Sequence, residues 1–85
     1  MMLCYIYRSS KKENSYLYLA KENDFSKIPE VLMTAFGKPI FAMKVLLDGK
    51  RQFAVGTSQE IENKINRDGF FLQMLKEDDF YINSH

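Results

Sequence analysis

Residues 3–8 read Leu3-Cys4-Tyr5-Ile6-Tyr7-Arg8, and residues 15–21 read Ser15-Tyr16-Leu17-Tyr18-Leu19-Ala20-Lys21. Both runs are apolar and aromatic, the types that fit extended backbone. Between them lies a polar link, Ser9 to Asn14, which holds Lys11, Lys12 and Glu13. A link that short makes the two strands antiparallel neighbours. Neither strand alternates apolar with polar. Cys4 and Ile6 alternate with Tyr5 and Tyr7, and Leu17 and Leu19 alternate with Tyr16 and Tyr18. A sheet with one wet face would show that alternation, so cover is expected on both faces.

The rest of the chain supplies that cover. Ile28, Val31, Leu32, Ala35 and Phe36 fall at i, i+3, i+4, i+7 and i+8, one stripe at helical period. Pro29 suits a first helical position, Gly37 a left-handed C-terminal cap, and Pro39 forbids another turn. A helix is predicted over 29–36. Ile40 to Leu47 is apolar except for Lys44 and reads as a long strand. Asp48-Gly49 is a turn signal, and Gln52 to Val55 reads as a short returning strand that Gly56 breaks. Thr57 followed by Glu60 is a capping-box pattern opening a second helix over 58–68, which Gly69 ends. Phe70 to Leu75 is the last strand. Residues 76–85 form a tail, frayed or docked as one turn.

The order β-β-α-β-β-α-β predicts an α+β fold: one small domain over 1–75, with a mostly antiparallel sheet covered by helices. A thin α/β/α sandwich is the expected form, with a two-layer α/β arrangement as the alternative. The inward phase of each element assigns Ile6, Leu17, Leu19, Val31, Leu32, Ala35, Phe36, Met43, Val45, Ile61, Ile65, Phe70 and Leu72 to the core.

Composition narrows the function classes. At 85 residues folding buries about 60–65% of the unfolded chain's surface, enough for one core. A net charge of +1 supplies no global field for nucleic acid or membrane. One cysteine excludes a disulfide framework and a cysteine-based zinc site. One histidine, His85 at the chain end, leaves no His-based triad. No apolar run approaches the roughly 18 residues of a membrane span. The N-terminus has no signal-peptide pattern, so the cytoplasm is the expected compartment.

Tyr5-Ile6-Tyr7-Arg8-Ser9, Tyr16-Leu17-Tyr18, Ile28-Pro29-Glu30, Phe36-Gly37-Lys38-Pro39 and Gly69-Phe70-Phe71-Leu72-Gln73 together resemble the YcgL domain family of proteobacterial proteins. The likeness covers residues 3–74. It implies a short cytoplasmic protein with an α/β/α sandwich, and it supplies no catalytic residues. Two departures stand out. The family commonly has Gly-Tyr-Tyr where this chain has Gly69-Phe70-Phe71. It also commonly continues into a proline-rich stretch where this chain has Leu75-Lys76-Glu77-Asp78.

Chemistry-bearing residues are few. Tyr5, Tyr7, Tyr16 and Tyr18 form a row of phenols on one face if the two strands present them together. Such a row stacks unpaired bases, with Arg8, Lys11 and Lys12 placed to meet phosphates. The plainer alternative is that the rings are core with hydroxyls reaching the rim. Residues 1–50 carry eight Lys/Arg against five Asp/Glu, which allows a local basic patch, but no phosphate-cradling glycine motif is present. Cys4 at a strand centre reads as an inert buried thiol. Glu77, Asp78 and Asp79 lack the remaining ligands of a calcium loop and read as a solvated acidic tail. Asp78-Asp79-Phe80-Tyr81-Ile82 has the composition of a segment that folds onto a partner, or equally of one that docks on its own sheet.

The chain thus reads as a non-catalytic protein-interaction or regulatory domain, a monomer or weak dimer with an unidentified protein partner, no cofactor, no metal and no membrane. The alternative is a single-stranded RNA binder working through Tyr5, Tyr7, Arg8, Lys11, Lys12, Tyr16 and Tyr18.

Overall fold

In the computed structural model, which describes residues 2–50, 52–53 and 56–74, the polar link closes a hairpin. Strand β1 (Met2–Arg8) runs antiparallel to β2 (Ser15–Leu19), with Ile6 opposite Tyr18 and Tyr7 opposite Leu17. Short-range hydrogen bonds pin the turn. Ser9 Oγ accepts from the Lys11 and Lys12 amides at 3.1 and 2.8 Å and donates to the Phe36 carbonyl. Lys11 Nζ donates to the Thr34 carbonyl at 3.2 Å. The polar link is therefore tied to the end of the first helix.

Beyond the hairpin come α1 (Glu30–Phe36), β3 (Ile40–Leu47), β4 (Gln52–Phe53), β5 (Gly56–Thr57), α2 (Ser58–Asp68) and β6 (Phe71–Met74). The main sheet has the order β3-β1-β2-β6 and is antiparallel throughout. One face packs Cys4, Ile6, Tyr18, Val45 and Leu47 against Ile61 and Ile65 of α2. The other packs Tyr7, Leu17 and Leu19 against Phe36 of α1 and Ile28 just before it. The protein is a single small α+β domain whose sheet carries a helix on each face.

Helix α2 starts and stops where its sequence says it should. Glu60 N–H donates to Thr57 Oγ1 at 3.2 Å, and the Thr57 amide donates to Glu60 Oε1 at 3.0 Å. Two orphan donors of the first turn are thereby satisfied. Gly69 is left-handed at φ 89° and ψ −5°, and its amide donates to the Ile65 carbonyl at 2.7 Å.

Several expectations are corrected. The predicted fourth strand does not return onto the main sheet. Gln52–Phe53 instead pairs with Gly56–Thr57 as a separate two-stranded sheet. Residues 54 and 55 lie outside the described residues, as do Leu75 of the predicted last strand and the whole tail, 76–85. Strand β2 ends at Leu19, short of Lys21. Pro29 is the N-cap of α1, with an extended ψ of 143°, one residue before the first helical position.

The core assignment fails at Val31, Ala35 and Met43. Val31 is 84% exposed and Ala35 is also exposed, while Leu32 and Met33 are half-buried and Phe36 is buried. The predicted stripe took its phase from Ile28, which precedes the N-cap and is not helical. The larger side chains of Leu32, Met33 and Phe36 set the inward face, which turns Val31 and Ala35 outward. Met43 is 52% exposed because β3 is an edge strand with a register shift beside it, between Ile6 and Tyr7. Helix α2 covers the Val45–Leu47 end of that strand and leaves the Met43 end open. Phe70 and Leu72 are half-buried.

Gly37 has positive φ as expected, but its ψ of −160° differs from a left-handed cap. That combination is close to glycine-only territory.

Candidate functional site

In an antiparallel pair, residues directly opposite one another share a face, and the face changes with every residue. With Ile6 opposite Tyr18 and Tyr7 opposite Leu17, Tyr16 and Tyr18 join Ile6 on the α2 face. Tyr5 and Tyr7 join Leu17 and Leu19 on the α1 face. The four phenols therefore form no common row.

Two of them are core residues. Tyr7 is 2% exposed, and its ring meets Phe25 and Phe41 edge-on at 5.0 and 5.6 Å. Its hydroxyl donates to Asn23 Oδ1 at 3.2 Å and accepts from the Asn23 amide at 2.8 Å. Tyr18 is equally enclosed on the other face and donates to Gln73 Oε1. Burial, with smaller contributions from Cys4 and Tyr16, pushes its phenol up to about 12, so it serves as a neutral donor. Tyr5 and Tyr16 are half-buried. Arg8 is exposed at the end of β1, paired with Tyr16 and Ile40. Lys11 is held on Thr34, and Lys12 is exposed.

What the register builds is a cleft. On the α2 face, at the end that α2 leaves open, a surface cavity of about 280 Å³ lies over Ile6 and Tyr18. Ala42 and Met43 of edge strand β3 form one side, Tyr16 and Gln73 the other, and Phe53 of β4 completes the lining. The Phe53 ring stands 6.5 Å from Tyr18 at 80°. The walls are mainly apolar, with the Tyr18–Gln73 hydrogen bond in the lining. Small-molecule sites usually run to roughly 300–1,000 Å³; this cleft suits one large side chain. Beside it, with Tyr16 as the shared wall, a polar hollow of about 550 Å³ is lined by Arg8, Lys11, Glu13 and Asn14 among others.

The sequence points to the Tyr16 and Tyr18 walls but misses Ala42, Met43, Phe53 and Gln73. One signal was available for Gln73: a single polar residue inside the apolar run Phe70 to Leu75.

Four other reactive groups, Cys4, Asp24, Glu60 and Asp68, are committed to structure. The Cys4 thiol is fully buried, and desolvation pushes it up to about 12. Asp24 accepts from the Ser26 hydroxyl and amide, which hold its carboxyl below the usual range. Glu60 is held low by the Thr57 amide and hydroxyl of the capping box, and Asp68 by the Arg67 guanidinium. Among the described residues, no three His, Cys, Asp or Glu stand close enough to hold a metal ion. No helix among them is long and apolar enough to cross a membrane. The Glu77–Asp79 acids lie outside the described residues.

Comparison with known proteins places the chain among named relatives. The family model described as YcgL domain matches residues 4–81. A YcgL domain-containing protein of Vibrio atlanticus is 51% identical over 73 residues, covering 86% of this chain and 75% of that one. Another, of Actinobacillus succinogenes, is 46% identical over 79 residues, covering 93% and 89%. Protein YcgL of Escherichia fergusonii is 44% identical over 73 residues, covering 86% and 75%. None of these names carries an activity or a ligand.

Proposed function

The chain belongs to the YcgL domain family, and from that premise we propose that it is a non-catalytic cytoplasmic interaction module that seats a protein partner in the cleft between Met43 and Phe53. The open apolar cleft carries this reading. A domain of this size has little apolar surface to spare. Yet it leaves Ala42 and Met43 exposed beside a cavity floored by Ile6, while α2 closes the rest of the same face. Apolar side chains gathered around a cavity, rather than scattered singly over the surface, support an interaction site. The assignment of Asp24, Glu60 and Asp68 to a turn, a cap and an ion pair, and of Cys4 to the core, supports a role without catalysis. The RNA alternative loses its platform, since the four tyrosines are divided between two faces and the Tyr7 and Tyr18 rings are enclosed.

The test is affinity purification from native cells of the unaltered protein and of Ala42→Arg. Ala42 is exposed at the cleft rim, so the variant should fold with an unchanged melting temperature. The expected result is a discrete protein retained by the unaltered chain at moderate salt and lost by Ala42→Arg. Identical recovery by both, or recovery abolished by ribonuclease, contradicts the proposal.

A further inference from the structure

We propose that the cleft takes an extended peptide in which an acidic residue stands two positions from an aromatic one, supplied by the partner. This rests on the interaction reading above and adds to it the partner's chemistry. The size of the cleft selects the anchor. About 280 Å³ accommodates one large side chain. The neighbouring rings stand edge-on to one another, with Tyr18 meeting Phe53 at 80° and Phe71 at 67°, the geometry in which a further aromatic ring packs well. Tyr18 itself is buried and so offers no open ring face of the kind that base stacking needs.

The charge around the cleft selects the rest. Arg8 lies two residues beyond Ile6 on β1, hence on the face that floors the cleft, and it pairs with Tyr16 at the shared wall. It is exposed and makes no ion pair among the described residues. Lys11 and Glu13 both line the adjoining hollow, but Lys11 Nζ is held on the Thr34 carbonyl of α1, and Lys12 borders a separate hollow against Leu32 and Phe36 on the other face, so Arg8 is the cation that this face offers beside the cleft. An apolar cleft with one exposed guanidinium, that of Arg8, at its edge complements a ligand that joins a ring to a carboxylate. Spacing follows from strand geometry. Ile6 and Arg8 are two residues apart, about 7 Å. An extended peptide lying along β1 covers the same distance in two residues, so a ring over Ile6 puts the carboxylate over Arg8.

The probe is a capped pentapeptide of serines carrying aspartate at its second position and phenylalanine at its fourth. It is titrated into the full chain while the methyl signals of Ile6 and Met43 are followed by NMR. Both should shift saturably. Replacing the aspartate by asparagine should weaken binding about threefold to fivefold, the scale of an exposed ion pair. Arg8→Glu should weaken it similarly, and a lysine in place of the peptide aspartate should restore affinity to Arg8→Glu. Equal binding of the neutral peptide overturns the acidic requirement while leaving the interaction reading intact. No saturable shift at either methyl overturns the peptide assignment. An oligonucleotide that shifts the same methyls more strongly assigns the cleft to nucleic acid. The chain itself contains Asp78 two positions before Phe80; tighter peptide binding by Phe80→Ser would assign the cleft to that segment and overturn the choice of a separate partner.

Discussion

Ile6 of β1 stands opposite Tyr18 of β2, and this one pairing sends Tyr5 and Tyr7 toward α1 while Tyr16 and Tyr18 turn toward α2. A shift of a single residue would have reversed every side chain on one strand. The register gives each face one enclosed tyrosine with a polar anchor: Asn23 for Tyr7 and Gln73 for Tyr18. On the α2 face it also brings Ile6, Tyr16 and Tyr18 together with Phe53 around the cleft.

The Tyr18–Gln73 bond joins two buried side chains. Tyr18→Phe should cost about 1–3 kcal/mol, because the buried Gln73 Oε1 loses its donor. Adding Gln73→Met should recover part of the loss. Urea unfolding of the two single variants and the double measures the coupling; strictly additive losses would show that the bond contributes nothing.

The phase of α1 has an equally direct check. Val31→Ala should change stability by less than about 0.5 kcal/mol, as for an ordinary surface site. Phe36→Ala should cost about 3–5 kcal/mol, and Leu32→Ala, half-buried, should fall between them. Denaturation midpoints that rank Val31 above Leu32 would restore the stripe that counts from Ile28.

Gly37 joins α1 to β3 at φ 81° and ψ −160°, and a Cβ there would lie 2.6 Å from Lys11 Cγ and 2.7 Å from Ser10 Oγ. Both the backbone conformation and the space oppose a side chain. Gly37→Ala is expected to lose about 1–3 kcal/mol, visible as a lowered melting temperature. An unchanged melt would mean that the connection relaxes freely.

Cys4 makes stability depend on alkaline pH. Burial raises its thiol from an ordinary 9.0 to about 12. The unfolded chain therefore releases the proton at lower pH than the folded one. The resulting contribution is whole below about pH 9 and is lost as pH rises toward 12. The stability difference between the unaltered chain and Cys4→Ala should narrow across that window. A difference that stays constant with pH would place the thiol in water.

Local pattern made much of the fold legible. Ile40 to Leu47 and 58–68 coincide with β3 and α2, because an apolar run interrupted only by Lys44 and a Thr57–Glu60 box are each encoded by residues close in sequence. The pairing was not legible in the same way. Where both faces of a strand are apolar, as in Tyr5-Ile6-Tyr7 and Tyr16-Leu17-Tyr18, the sequence holds no period-two signal to say which residue faces which helix. The edge position of β3 and the separation of β4 and β5 from the main sheet are likewise settled by distant packing. The cleft depends on all three, so Met43 and Phe53 were invisible as site residues.

The seat of the partner can be read in the cell by photocrosslinking. Benzoylphenylalanine is placed at position 43, on the cleft rim, and separately at position 31, the exposed outer face of α1. A discrete protein adduct from position 43 and none from position 31 is the expected result. Adducts from position 31 alone, or RNA rather than protein attached at position 43, would contradict a protein seat in the cleft.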